Sequence, residues 1–197
     1  MTISSPKHLN RNIYAAVAVE TTGPLVGFHD VHKICIIPLD SFYAPAKVIP
    51  FLVEFKPIRE ETPWLSYEKL VKAKAGGVPP SMAPDILELW FKKLQLPNGK
   101  KLCPISQDWG FTIPFFRELF GPTLCDEVFF EVPRDLKSVA AYLNDCADLN
   151  SESIPFARYG IQSICGKLNV IIDEPIDVLN ACKATAAAYK AILKRMF

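Results

Sequence analysis

Apolar residues in the first third of the chain lie in three short runs that turn-forming residues separate. The runs occupy positions 13–19, 31–39 and 49–55, and Gly or Pro residues lie at or near their ends. Short apolar and β-branched runs bounded in this way predict strands. Positions 13–19 are apolar on both parities, which predicts a strand buried on both faces. We expect the three strands to form an antiparallel meander.

Helical spacing dominates the rest of the chain. Apolar residues at intervals of three and four, with Gly and Pro at the breaks, predict helices at about 66–74, 81–94, 110–120, 133–149, 159–168 and 177–196. Two further strands are predicted at 101–105 and 127–132. A meander followed by alternating strands and helices predicts an α/β fold with a mixed five-stranded sheet and helices on both faces. That arrangement is similar to the ribonuclease-H-like plan.

Composition narrows the class of protein without identifying it. The chain has 197 residues, 50% of them hydrophobic, so we expect a single α/β domain over residues 1–197. Its 22 Lys and Arg residues nearly balance 21 Asp and Glu residues, and the net charge is +1. No long-range field therefore draws the protein to polyanions or membranes, and any contact with nucleic acid has to be local.

The cysteines and the N-terminal sequence indicate a compartment. The six cysteines are far apart, lack the spacing of zinc or redox motifs, and lie mostly in apolar runs. This pattern predicts buried thiols in a reducing environment. The first twelve residues are polar, and no apolar run is long enough to span a bilayer. We therefore expect an intracellular, cytoplasmic protein that has no membrane partner.

Three segments across the chain carry a family resemblance. They are residues 17–24 (VAVETTGP), 104–115 (PISQDWGFTIPF) and 175–186 (PIDVLNACKATA). In this order they resemble the motifs of the DEDD-type (DnaQ-like) 3′–5′ exonucleases. Those motifs read Asp-x-Glu-Thr-Thr-Gly, His-Asn-x-x-Phe-Asp-x-x-Phe, and His-Asp-Ala-Leu-x-Asp followed by Ala-Thr-Ala. The resemblance covers nearly the whole chain and implies the fold of that family.

The chemistry of that family explains its acidic residues. Two-metal hydrolysis of a phosphodiester needs carboxylates that hold two ions about 4 Å apart, together with a general base. Residues two apart on a strand point the same way, so positions 18 and 20 would both face the metals. The resemblance implies five catalytic positions, which here hold Ala18, Glu20, Thr112, Ile176 and Ala181. Only Glu20 keeps the residue of the family, so ordinary two-metal hydrolysis is not expected.

Two histories fit these losses. Ala18 and Ala181 are the residues that an engineered knockout would carry, which keeps open an exonuclease inactivated by substitution. Thr112 and Ile176 are not such residues, and Ile176 suggests a pocket refilled with apolar bulk. We therefore favour a natural pseudo-exonuclease that binds single-stranded nucleic acid or a protein partner within a larger assembly. A scaffold whose old cleft is closed is a third hypothesis.

Some acidic and histidine residues offer an alternative metal site. No cofactor is expected, but Glu20, Asp108 and Asp177 could hold a single Mg²⁺ or Mn²⁺ ion if residual activity survives. Asp108 and Asp177 also precede predicted helices, and N-terminal caps are the favoured interpretation of both. His29 and His32 lie beside an acid, but we interpret that segment as a solvated turn.

Candidate nucleic-acid contacts come from the same motifs. They are Thr21, Thr22 and Gly23 in the first segment, and Trp109 and Phe111 in the second, whose rings could stack on bases. Phe111 also has the spacing of a core residue. Trp64 and Tyr67 follow a polar stretch, 59–63, and suggest an element that faces a partner. Neutral residues at former acid positions would repel phosphate less, which favours binding without hydrolysis.

Overall fold

The computed structural model describes residues 3–4, 6–9, 12–59, 63–174 and 176–196. Residues 60–62 of the predicted polar stretch and Pro175 of the third segment lie outside them. The strands are β1 (Ile13–Thr21), β2 (Val31–Pro38), β3 (Phe51–Glu54), β4 (Leu102–Ser106) and β5 (Arg134–Asp135). The α-helices are α1 (Tyr67–Gly76), α2 (Ala83–Lys93), α3 (Trp109–Phe120), α4 (Pro122–Val128), α5 (Leu136–Leu149), α6 (Ile161–Leu168) and α7 (Val178–Met196).

The five strands form one mixed sheet in the order β3-β2-β1-β4-β5. Strand β2 is antiparallel to both β1 and β3, which confirms the predicted meander, while β4 is parallel to both β1 and β5. Parallel strands place their carboxyl ends at the same edge of the sheet. The helices that follow β4 and β5 therefore begin near the carboxyl end of β1.

Helices cover both faces of the sheet, so the predicted fold class is confirmed. Residues of α5, α6 and α7 form a buried cluster on one face, and residues of α2, α3 and α4 form another on the opposite face. Strand β1 contributes to both, with Tyr14 and Ala16 on the α7 side and Ala15 and Val17 on the α3 side. Burial on both faces explains why this strand is apolar on both parities.

The strand predicted at 127–132 is wrong. Gly121, at φ 83°, ends α3, and Pro122 then starts α4, which continues to Val128. A proline at the first helical position is favourable because its missing N–H would have no partner there. Cys125 and Val128 are buried one turn apart, so the apolar residues here follow a helical period. Strand β5 is only two residues long and begins at Arg134.

The cysteine prediction is confirmed for most of the thiols. Five of the six cysteines are buried, Cys146 is half-buried, and all six are free. Burial raises the pKa of Cys103 to about 11 and that of Cys125 to about 12. Among the helices of the described ranges, none combines the length and the hydrophobicity that crossing a bilayer requires.

Candidate functional site

A cleft of about 300 Å³ opens at the carboxyl ends of β1 and β4. Its walls come from these strands, from α3 and α7, and from Trp64 and Ile161. Three of the five positions singled out by the resemblance, Ala18, Thr112 and Ala181, line this cleft. Residues from three distant segments thus converge on one site, at the place where α/β sheets commonly bind ligands.

Glu20 lies two residues after Ala18 on β1, is not among the residues that line the cleft, and lies near the start of α7. The backbone of Val178 lies near the Glu20 carboxylate and favours its charged form, which acts to lower the pKa. Burial raises the pKa of Glu20, Lys33 and Lys69 oppose that shift, and the nearby charge of Asp177 adds to it. Glu20 is therefore half-buried beside the cleft and close to the start of α7.

Ile176 and Asp177 take positions that the sequence only partly predicts. Ile176 is 38% exposed and does not line the cleft, so the suggested apolar refilling by this residue is wrong. Because the cleft remains open, the hypothesis of a closed cleft is not supported either. Asp177 accepts a hydrogen bond from the Asn180 amide at 2.8 Å, so it caps α7 as predicted.

Asp108 has two partners, one for each carboxylate oxygen. Its Oδ1 accepts from the Phe111 amide at 3.0 Å, which is the N-terminal cap predicted for α3. Its Oδ2 lies 2.9 Å from Nζ of Lys137. Among the described residues that line the cleft, Asp108 is the only charged one. The positive charge of Lys137 neutralises it.

The donor groups do not fit a two-metal centre. Within the described ranges, no three His, Cys, Asp or Glu residues are grouped closely enough to hold a metal ion. Asp108 lines the cleft, whereas Glu20 and Asp177 lie beside it at the start of α7. The Thr112 hydroxyl donates to the Asp108 carbonyl at 2.8 Å, and it brings no charge to the site. Two divalent ions would therefore lack the carboxylates that fix them.

The Thr-Thr-Gly segment forms a buried turn beside the cleft. The Thr21 hydroxyl donates to the Gly23 carbonyl at 2.8 Å, and the Thr22 hydroxyl accepts from the Asp30 amide at 2.9 Å. Gly23 lies against the ring of His29, and a Cβ atom there would be 2.1 Å from Cδ2. The hydroxyl groups of Thr21 and Thr22 thus form hydrogen bonds within this segment. The contact of Thr21, Thr22 and Gly23 with nucleic acid stays a prediction.

The segment around His29 is not a solvated turn, so that interpretation is wrong. His29, Asp30 and His32 are all buried. Asp30 accepts from the amides of Ile58 and Arg59 at 2.8 and 2.7 Å, and it forms an ion pair with the Arg59 guanidinium. These partners compensate the carboxylate for lost water, which allows the segment to pack inside.

The aromatic residues divide between the core and the cleft. Trp109 is buried and packs edge-on against Phe116 and Phe129, a position that does not support its predicted stacking role. Phe111 lines the cleft, and its ring centroid lies 6.2 Å from that of Trp64. Trp64 is 57% exposed, and its amide donates to the Thr22 carbonyl at 3.0 Å. The only sequence signal for Trp64 was its position after a polar stretch.

Comparison with solved structures gives this chain an exonuclease-like α/β fold. E. coli exonuclease I in complex with a dT13 oligonucleotide superposes with a TM-score of 0.70 at 16% identity, covering 94% of this chain and 42% of that one. The ExoI/SSB-Ct complex gives a TM-score of 0.65 at 14% identity, with 94% and 42% coverage. A chain from the structure of the yeast NOT1 MIF4G domain co-crystallized with CAF1 gives a TM-score of 0.65 at 9% identity, covering 96% of this chain and 82% of that one.

These similarities concern the fold alone. No protein-family model matches the chain. No curated protein matches it either. The chain spans about two fifths of the length of the exonuclease I chains, so activities and partners of those larger proteins do not transfer directly.

Proposed function

We propose that this chain is a pseudo-exonuclease that binds single-stranded nucleic acid in the cleft without hydrolysing it. The observation that carries the proposal is the convergence of Ala18, Thr112 and Ala181 on one cleft. Where the resemblance implies carboxylates, these positions offer two methyl groups and a neutral threonine. Mg²⁺ and Mn²⁺ need oxygen ligands in defined geometry, which such a site cannot supply.

The shape and the lining of the cleft support a nucleotide ligand. Its volume of about 300 Å³ is at the lower end of the range of small-molecule sites. Phe111 in the wall and the exposed Trp64 at the rim provide aromatic surface, on which any base can stack. Loss of the acids also removes negative charges that would repel phosphate in the absence of metal ions.

One further feature favours an anionic ligand. Helix α6 begins at Ile161 in the cleft wall, and Gly160 before it provides no side-chain cap. The amides of a first helical turn and the helix dipole attract phosphate groups. The structure of exonuclease I, a protein of the same fold, contains a dT13 oligonucleotide, which supports this class of ligand.

Fluorescence anisotropy with a labelled single strand of about 16 nucleotides tests the proposal. We expect salt-sensitive binding by the wild type and a loss of about 1 to 3 kcal/mol for Trp64→Ala, the cost of one stacked base. Tyr142→Ala is the matched control, because Tyr142 is 61% exposed and lies on α5 outside the cleft wall. The strand should remain intact in Mg²⁺ and in Mn²⁺. Absence of binding, or metal-dependent shortening of the strand, would overturn the proposal.

A protein partner is the second candidate, and an exposed apolar groove favours it. The groove, about 430 Å³, lies between α2 and the segment before β3. Its lining includes Ile49, 83% exposed, and Leu89, 59% exposed. Exposed apolar patches commonly mark interaction sites. The SSB-Ct and NOT1–CAF1 structures show that proteins of this fold occur in protein complexes.

Co-purification of proteins with the tagged chain tests this second candidate. Leu89→Asp should abolish a specific association that Leu149→Asp leaves unchanged, since Leu149 is 86% exposed and lies outside the groove. Equal loss with both variants, or no loss with either, would count against the groove as the binding surface.

A further inference from the structure

The ion pair between Lys137 and Asp108 lies at the wall of the cleft. Lys137 is the second residue of α5, and its amide donates to the Gln107 carbonyl at 3.1 Å. Its Nζ lies 2.9 Å from Oδ2 of Asp108, and both Gln107 and Asp108 line the cleft. The ammonium group is thus one hydrogen bond away from a residue of the cleft wall.

The pair is accessible to solvent and exchangeable. The side chain of Lys137 is 54% exposed and that of Asp108 is 32% exposed. Water screens an ion pair of this exposure, so it contributes little to stability. The hydrogen bond and the charge of Asp108 raise the pKa of Lys137, so the lysine remains a cation. A cation held weakly by one carboxylate is available to another anion.

The two carboxylate oxygens of Asp108 accept hydrogen bonds from different partners. Oδ1 caps α3 by accepting from the Phe111 amide, whereas Oδ2 accepts from Lys137. Loss of the lysine contact therefore leaves the helix cap intact. Asparagine is as good a cap as aspartate, so the charge at position 108 can be removed without removing the cap.

We propose that Lys137 is a phosphate-binding residue of the cleft, and that Asp108 is its internal counter-ion, which a nucleic-acid phosphate displaces. This inference rests on the proposed binding of single-stranded nucleic acid. Displacement replaces one carboxylate partner by a phosphate and leaves Asp108 attached to α3 through Oδ1. A ligand therefore has to compete with Asp108 for Lys137. Weakly charged ligands compete poorly, whereas a phosphate that base stacking already holds beside the lysine competes well.

Anisotropy titrations of three variants across about 50 to 200 mM salt test the exchange. Lys137→Gln should weaken binding roughly two- to fivefold, the range for an exposed charge pair. It should also reduce the slope of log K against log salt by about 0.7, the value for one contact on a single strand. Lys137→Arg should retain affinity and slope, and Asp108→Asn should bind more tightly than the wild type.

The double variant separates displacement from simple repulsion. If Asp108 competes for the lysine, Lys137→Gln should lose more affinity in the Asp108→Asn background than in the wild type, because the freed lysine contributes fully there. Equal losses in both backgrounds would overturn the counter-ion role. Lys92→Gln is the control, since Lys92 is 67% exposed and pairs with Glu88 on α2.

The possible failures are distinguishable. A wild type that binds no single strand would overturn the proposed function. A wild type that binds, with Lys137→Gln equal to it in affinity and slope, would overturn the role of Lys137 alone. Thermal unfolding of each variant checks the fold, and a Lys137→Gln defect that Lys137→Arg does not rescue would also count against a charge contact.

Discussion

The backbone of Val178, the first residue of α7, lies close to the carboxylate of Glu20 near the end of β1 and acts to lower its pKa. This proximity places Glu20 beside the helix that carries Ala181. Burial raises the pKa of Glu20, and the charges of Lys33 and Lys69 only partly offset it. Glu20 is therefore costly to ionise in the folded protein.

Replacement of Glu20 by glutamine should reduce the pH dependence of stability. The pKa of Glu20 lies above its ordinary value of 4.5 in the folded protein, so the folded state binds more protons than the unfolded chain between the two values. The free energy of unfolding of the wild type therefore falls as pH rises from 4.5 towards the raised pKa, and this contribution is constant above it. Glutamine has nearly the same size as glutamate and has no charge to desolvate.

Urea unfolding between about pH 4 and pH 8 measures the effect. Glu20→Gln should be at least as stable as the wild type at neutral pH, with the difference shrinking as the pH falls. Glu131→Gln, at an exposed glutamate, is the control. An identical pH profile for Glu20→Gln and the wild type would contradict the assigned cost of ionisation.

The ring of His29 leaves no room for a side chain at position 23, so Gly23→Ala should destabilise the protein. The new Cβ atom would lie 2.1 Å from Cδ2 and 2.4 Å from Nε2 of a buried side chain. Overpacking of this kind costs about 1 to 3 kcal/mol in the free energy of unfolding. Gly166→Ala is the control, because no atom lies within 4 Å of its Cβ and alanine favours the helix. His29→Ala should relieve much of the cost, and a purely additive double variant would argue against the clash.

Arg59 stabilises the loops beside the Thr-Thr-Gly turn. Its guanidinium pairs with the buried Asp30 and with Glu118, and it donates to the His29 carbonyl at 2.7 Å. Arg59→Ala should lower the free energy of unfolding by about 1 to 3 kcal/mol, because Asp30 would lose its countercharge while buried. Arg117→Ala breaks the exposed pair with Asp126 and should cost less than about 1 kcal/mol. Similar losses in urea unfolding for both variants would show that burial of Asp30 is unimportant.

Local signals explain which parts of the fold the sequence predicted. Strands β1, β2 and β3 could be predicted because each is a short apolar run whose pattern depends only on the burial of that strand. The meander could be predicted because only short connections separate the three runs. Asp108 and Asp177 were predicted as caps because a cap depends on one side chain and the next few amides. The segment 127–132 was mistaken for a strand because a short apolar run fits either a strand or a buried helix end.

The site depends on contacts between distant segments, which no local pattern reports. Trp64 reaches the rim of the cleft because its amide pairs with the Thr22 carbonyl, across more than forty residues. Lys137 meets Asp108 because β4 and β5 are parallel and end at the same edge of the sheet. Burial of Asp30 depends likewise on Arg59, which follows a different strand.

Carboxylates introduced at positions 18, 112 and 181 should create a metal site in the cleft. The triple variant Ala18→Asp, Thr112→Asp, Ala181→Asp should be less stable than the wild type without metal, because the new charges repel one another. Mn²⁺ should then raise its melting temperature, by the equivalent of about 2.7 kcal/mol at a hundred times the dissociation constant. Differential scanning fluorimetry with and without Mn²⁺ measures both effects.

The triple variant with asparagine at the same positions controls for side-chain size and should respond little to Mn²⁺. Hydrolysis of a labelled single strand should still be absent, since Ile176 supplies no general base, and should require Ile176→His in addition. If Ala18→Asp and Ala181→Asp alone restored hydrolysis in Mg²⁺, the chain would be an exonuclease inactivated at two positions. That result would favour engineered substitution over the proposed natural divergence as the reason for alanine at positions 18 and 181.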